Sequence, residues 1–210
     1  MLDFITVNEH SSIRMEGPKI IYADPFRITD CRNDADIILV THAHYDHFSP
    51  EDIRKVNQDS TLYVMPESMV EEALNAGFSQ NKIYPMVPGT FLSLPDVLIN
   101  AVPSYNVGKP MHPPKNGWLG YVVTMNGKRI YIAGDCDLMP EEPTVKCDIA
   151  MIPIGGTYTM NPTEGAKCVN QIKPKYVIPI HYGTLVGDPA DFTAFAPLVH
   201  KEITIVAKLP

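Results

Sequence analysis

Three of the seven histidines fall close together in Thr41-His42-Ala43-His44-Tyr45-Asp46-His47. Imidazole nitrogens and a carboxylate gathered in this way are ligands for a divalent metal such as zinc, manganese or iron. Without an ion to organise them, such groups would compete for protons at one point. The cluster directly follows Asp36 to Thr41, a continuous β-branched run that reads as a buried strand. A strand end is a rigid platform from which several side chains can be aimed into one volume.

Two later strand ends repeat the arrangement. Arg129 to Ala133 runs into Gly134-Asp135, and Tyr176 to Ile180 runs into His181. An Asp after a Gly is by itself a common turn residue, and a single strand-end His is most often structural. Taken with the first cluster, both read as further metal ligands.

The elements that must position these residues alternate in type. Strands are expected over Lys19 to Ala23, Thr61 to Met65, Cys147 to Pro153, Lys175 to Ile180 and Glu202 to Leu209. Phe91 to Leu94 and Val97 to Val102 flank Pro95-Asp96, and Gly120 to Met125 and Lys128 to Ala133 flank Asn126-Gly127. Both read as hairpins, the second with the strongest short turn signal. Ser49-Pro50 opens one helix, Glu67 to Ala76 forms another that Gly77 stops, Asn161-Pro162 caps a third and Asp188-Pro189 begins the last. The pattern predicts two β-sheets packed face to face with helices outside.

Composition narrows the function classes. Apolar residues make up 45% of the chain and charged ones 20%, so a folded core is expected throughout its 210 residues. The net charge of -7 comes with no cluster of Lys and Arg, which disfavours a nucleic-acid partner. No basic amphipathic or long apolar segment points to a membrane. Cys31, Cys136, Cys147 and Cys168 form no paired metal motif and read as reduced thiols of a cytoplasmic protein. A homo-oligomer is compatible with this composition and not demanded by it.

The order H-x-H-x-D-H, then Gly-Asp at a strand end, then a late His, resembles the metallo-β-lactamase-fold superfamily over residues 37–183. Asp24-Pro25, Gly117 to Tyr121 and Pro179 to Gly183 narrow the resemblance. They are similar to the branch of metal-dependent hydrolases that includes the ascorbate-phosphate lactonase and the N-acyl-phosphatidylethanolamine phospholipase D. The resemblance implies an α/β (α+β) fold, a four-layer αββα sandwich forming one domain over residues 1–210, with a dinuclear metal site at one edge of the paired sheets. By it, His42 and His44 would hold one ion, Asp46, His47 and His181 a second, and Asp135 would bridge them. Two such ions would make hydroxide from a shared water near neutral pH, with Asp46 orienting that water. Asp24 resembles a position that supports a ligand histidine through a hydrogen bond.

The chain departs from the family in one place. The superfamily carries a further histidine after the strand read here as Val97 to Val102, where this chain has Pro103-Ser104-Tyr105-Asn106. Asn106 or Ser104 stands in its position, and the nearest histidine is His112. Three roles are open to His112: substrate contact, metal ligand, or an exposed loop residue, in that order of preference. With Asn106, Tyr158 and Lys109 it is assigned to the substrate pocket. Trp118 is expected to pack under the same loop, and Cys136 to be a small buried neighbour of Asp135.

The expected activity is hydrolysis of an ester-like bond, a phosphodiester or a lactone, in a small soluble substrate by a metal-activated hydroxide. The cofactor is a divalent metal, zinc first and manganese, iron or nickel as alternatives, with one or two ions per chain. A non-catalytic metal-binding scaffold and a di-iron redox protein are the competing readings.

Overall fold

The computed structural model describes residues 2–141 and 144–209; Met1, Glu142, Pro143 and Pro210 lie outside the described residues. Two sheets share the fold, and each is built from one half of the chain. The first contains β1 (Ile5–Glu9), β2 (Ser12–Met15), β3 (Ile21–Ala23), β4 (Ala35–Leu39), β5 (Asn57–Pro66) and β6 (Ile83–Met86), lying side by side in chain order. The second contains β7 (Phe91–Leu94), β8 (Val97–Pro103), β9 (Leu119–Met125), β10 (Lys128–Ile132), β11 (Ile149–Pro153), β12 (Tyr176–Ile180) and β13 (Thr204–Ile205), again in order. Each sheet begins with antiparallel neighbours and finishes with parallel ones; the change comes at β3–β4 in the first and at β10–β11 in the second.

β4 shows how the layers are specified. Its side chains alternate between faces, as in any strand. Ile37 and Leu39 enter the core between the sheets, where Ile99, Tyr121 and Val123 of the second sheet meet them. Ile38, with Val40 just beyond the strand, belongs to an outer cluster containing Ile53, Val56 and Phe78. Burial on both faces explains why this strand reads as an unbroken apolar run.

α1 (Pro50–Val56) and α2 (Val70–Asn75) cover the outer face of the first sheet through that cluster. α3 (Pro162–Ile172) and α4 (Ala190–Phe195) cover the second sheet through Ala166, Cys168, Val169, Ile172 and Phe195. Two helix starts, those of α1 and α3, are as expected. Ser49 accepts from the Asp52 backbone N–H, and Asn161 and Glu164 close a reciprocal capping box around Pro162. The layers are therefore αββα.

Three expectations need correction. The β1–β2 hairpin was not anticipated, because β2 reads Ser-Ile-Arg-Met and buries a polar Arg14 that Tyr22 and Asp34 satisfy. The last strand, expected over Glu202 to Leu209, is only Thr204–Ile205, since it pairs on one side only, with Tyr176 and Val177. The expected helix Glu67 to Ala76 starts as a 3-10 turn, Glu67–Met69, before α2.

Gly120 in β9 sits where no side chain fits, because a Cβ there would lie 2.8 Å from the carbonyl oxygens of Ile132 and Ala133. Gly120→Ala is expected to destabilise the protein by about 1–3 kcal/mol through overpacking. Urea denaturation measures this, and an unchanged midpoint would contradict the close approach.

Candidate metal centre

The functional side chains collect where ends of both sheets meet. After β4, Val40 and Thr41 lead into a tight loop in which His47 and Phe48 both donate their N–H to the His44 carbonyl, at 2.9 and 2.7 Å. This turn points His42, His44, Asp46 and His47 to one side before Ser49 caps α1. Asp135 follows β10 through Gly134, whose φ of +68° favours glycine and where a Cβ would lie 3.1 Å from the Leu119 carbonyl oxygen. His181 follows β12, and its N–H donates to the His10 carbonyl across the two sheets at 3.1 Å.

His10 is the residue that sequence reasoning missed. It occupies the turn between β1 and β2 with a φ of +56° and is fully buried. Its Nε2 lies 3.3 Å from Asp46 Oδ2, and its ring centroid lies 3.7 Å from that of His181. The signal available was the alternation of Ile5, Val7 and then Ser12 to Met15 around a polar turn, which marks a short hairpin.

His112 joins the cluster from a loop after β8. Its side chain is 1% exposed, and its Nε2 lies 3.5 Å from Asp135 Oδ2. Asn106 fixes its orientation: the amide oxygen accepts from the His112 N–H at 3.1 Å and from Nδ1 at 2.8 Å. A backbone N–H can only donate, so the group facing it is the amide oxygen, and Nδ1 must carry the proton. The Nε2 lone pair is then left pointing into the cluster.

The same logic fixes two more rings. Asp24 Oδ2 lies 2.7 Å from His47 Nδ1, leaving Nε2 of His47 turned inward. The Thr41 hydroxyl donates to Asp24 Oδ2 at 2.7 Å, so it can only accept from His42 Nδ1, 2.9 Å away. His42 Nε2 then faces His44 Nδ1 at 3.1 Å. Asp135 sits centrally: Oδ1 is 3.3 Å from His47 Nε2, and Oδ2 is 2.9 Å from His181 Nε2 and 4.0 Å from His42 Nε2.

These contacts resolve into three overlapping groups whose ligand atoms lie within 4.8 Å of one another: His42, His44 and His112; His42, His47 and Asp135; and His10, Asp46, His47 and His181. Whether the donor set suits a metal can be tested on its unmet hydrogen bonds. Both ring nitrogens of His10 and His181, Nε2 of His47 and His112, and Oδ1 of Asp135 are buried and, despite their close approaches to carboxylates, form no hydrogen bond of good geometry among the described residues. Each such atom costs about 1–3 kcal/mol when left unsatisfied. A divalent cation meets several at once, and His and Asp are the donors it takes. The residues fit a metal.

Electrostatics point the same way. Burial pushes His112 down to about 4 and also holds His42 well below the usual imidazole range, so both rings are neutral at pH 7, the form a metal takes. Burial opposes protonation of His47 too, but Asp135 and Asp24 outweigh it and raise its pKa well above the ordinary value. Burial would raise Asp135, yet His181 and His47 hold it well below the usual carboxylate range.

The remaining expected site residues are placed differently. Tyr158 is 40% exposed on the wall of a cavity of about 340 Å³ that also exposes His44, Asp46, His112, Asp135 and His181. Asn106 is not a substrate contact. It is buried behind His112, and its amide nitrogen donates to the Tyr158 carbonyl at 2.8 Å. Lys109 is also turned away, its ammonium paired with Asp137 at 2.5 Å and with the Thr159 carbonyl at 2.7 Å. Ser104 donates to the Asp135 carbonyl at 3.3 Å and so supports a ligand loop. Trp118 does more than underlie the loop: its ring lies 5.0 Å from His42, 5.0 Å from His44 and 5.5 Å from His112, walling one side of the cluster.

Residues 4–181 match the family model described as the beta-lactamase superfamily domain. A UPF0173 metal-dependent hydrolase of Pyrococcus abyssi is 30% identical over 96% of this chain and 94% of its own length. A crystal structure of a candidate metal-dependent hydrolase from Parabacteroides distasonis superposes with a TM-score of 0.80 at 29% identity, covering 98% of this chain and 93% of that one. Igni18, a metallo hydrolase of Ignicoccus hospitalis, shares the fold with a TM-score of 0.75 at 22% identity, covering 98% and 95%.

The protonation states yield a sign for metal uptake. In the metal-free protein at pH 7 His47 carries a proton that ligation must displace, whereas His42 and His112 carry none to lose. Affinity is expected to rise with pH up to the His47 pKa, and binding at pH 7 to release about one proton. Calorimetric titration with zinc in two buffers of different ionisation enthalpy measures this; no release would contradict the His47 assignment.

Proposed function

The chain belongs to the beta-lactamase superfamily domain family, and from that premise we propose that it is a metal-dependent hydrolase whose centre would take two divalent ions, with Asp135 shared between their ligand sets. His42, His44 and His112 would hold the first. Asp46, His47 and His181 would hold the second, with His10 beside them. The observation that carries this reading is the convergence of the buried Nε2 atoms of His47, His112 and His181 on the Asp135 carboxylate, which a cavity reaches. Zinc suits this donor set, as do manganese, iron and nickel.

Divalent ions held there lower the pKa of water toward neutrality and stabilise negative charge on the reacting oxygen. The protein's own groups do the rest. Asp46 reaches the cavity, and although burial opposes its ionisation, His10 and His47 hold its pKa below the ordinary value. It is therefore an anion at neutral pH, able to accept a hydrogen bond from the attacking water and orient it. Asp24 and Asn106 keep His47 and His112 in the ligating tautomer. The Tyr158 hydroxyl stands where it can donate to a substrate oxygen. The bond attacked is ester-like, in a small substrate that enters the cavity.

Three outcomes test the proposal. Protein loaded with metal should contain about two ions per chain by elemental analysis, and chelation should abolish turnover of p-nitrophenyl acetate. His112→Ala should drop the stoichiometry to about one ion per chain, because the first ion loses one of its three histidines; retention of both would return His112 to the substrate pocket. Asp46→Asn should lower kcat by about 10²–10⁴-fold in folded, metal-containing protein. Full activity in that variant would favour a scaffold.

A further inference from the structure

The cavity above the centre has an uneven lining. One side is the cluster itself. The other is Tyr45, Met111, Tyr158, Leu185 and Val186. Tyr45 is 69% exposed although it stands between His44 and Asp46, and Met111, beside His112, is 43% exposed. Large apolar side chains bared at this depth lose hydration free energy that only an apolar ligand recovers. Among the described residues the lining contains no Lys or Arg. The nearest candidate, Lys109, already has both an Asp137 carboxylate and a backbone carbonyl on its ammonium.

From this distribution we infer that the substrate is an uncharged carboxylic ester or lactone with an apolar or aromatic group next to the reacting carbonyl, and that it bears no second anionic group. The inference rests on the hydrolytic reading above and narrows it. Among the described lining residues no cationic Lys or Arg stands outside the cluster, and metal held by the cluster would serve the reacting oxygen. A carboxylate or phosphate elsewhere in the substrate would meet Met111, Leu185 and Val186 with no Lys or Arg in the lining to pair its charge, only the neutral hydroxyls of Tyr45 and Tyr158. An apolar group gains from the same contacts. In the reaction the water oxygen bonds to the carbonyl carbon, the acyl C–O bond breaks, and the departing alkoxide leaves as the alcohol with a proton from that water.

Binding separates this inference from the hydrolytic one. The zinc-loaded protein is titrated with acetohydroxamate, butyrohydroxamate, hexanohydroxamate and succinohydroxamate, whose common head ligates metal. Turnover of the matching p-nitrophenyl esters and of bis(p-nitrophenyl) phosphate is followed in parallel. The Kd should fall about 2–4-fold per added methylene, and the carboxylate-bearing member should bind more weakly than its apolar neighbour of equal length. Met111→Ala and Tyr158→Ala should flatten the chain-length dependence at unchanged metal content. Flat binding in the parent, or tightest binding by succinohydroxamate, would overturn the inference even if esters are hydrolysed. Chain-length-dependent binding without turnover of any ester would sustain the pocket's preference and contradict the hydrolytic reading.

Discussion

The Asp24 carboxylate, 1% exposed at the end of β3, accepts from the Thr41 N–H and hydroxyl and faces His47 Nδ1. Its φ of +45° turns the chain so that one buried anion reaches the loop after the neighbouring strand. From it the remaining geometry follows. Thr41, with its proton committed to Asp24, can only accept from His42, and so sets the second ring as well. One carboxylate thus fixes the tautomers of two imidazoles whose other nitrogens meet Asp135. Removing it would leave those rings in place without the bias that makes them ligands, a cost characteristic of groups that support a metal from behind.

The sheets are joined where the site lies. Tyr121 donates its hydroxyl to the Val40 carbonyl at 2.7 Å, Leu119 its N–H to Thr41 at 3.0 Å, and His181 its N–H to His10 at 3.1 Å. Each bond ties the second sheet to a cluster member of the first or to a residue within two positions of one. His10 and His181 both take positive φ to do so, at +56° and +57°. Side chains other than glycine pay on the order of 1–3 kcal/mol for such backbone. Gly155 completes the fit, because a Cβ there would lie 2.2 Å from the His181 carbonyl oxygen. The centre is therefore a product of the sandwich: His10, His42, His44, Asp46 and His47 come from the first sheet's half of the chain, and His112, Asp135 and His181 from the second's.

Much of this was legible in the chain. The H-x-H-x-D-H segment sits after a strand whose two buried faces make it conspicuous, and Asp135 and His181 follow strands of the same kind. The αββα layering follows from period-two burial with capped helices between strands. His10 was not legible, because its hairpin is short and half its β2 residues are polar. Its function also depends on a contact with Asp46 that joins distant parts of the sequence. His112 lines the cavity and also approaches Asp135, and the second of these was not legible for a related reason. The loop from Ser104 to Trp118 has no periodic pattern, and only the Asn106–His112 pairing, invisible in spacing, brings the ring back to the cluster. Lys109 was misjudged because sequence shows a free cation where the fold supplies Asp137.

The central claim is that these donors surround two ions with Asp135 between them. Anomalous X-ray diffraction at the zinc edge from crystals of metal-loaded protein tests it most directly. The account predicts two peaks, one flanked by His42, His44 and His112 and the other by Asp46, His47 and His181, with an Asp135 oxygen near each. A loaded crystal with no peak in this cluster, or with its only ion bound elsewhere on the chain, would contradict it.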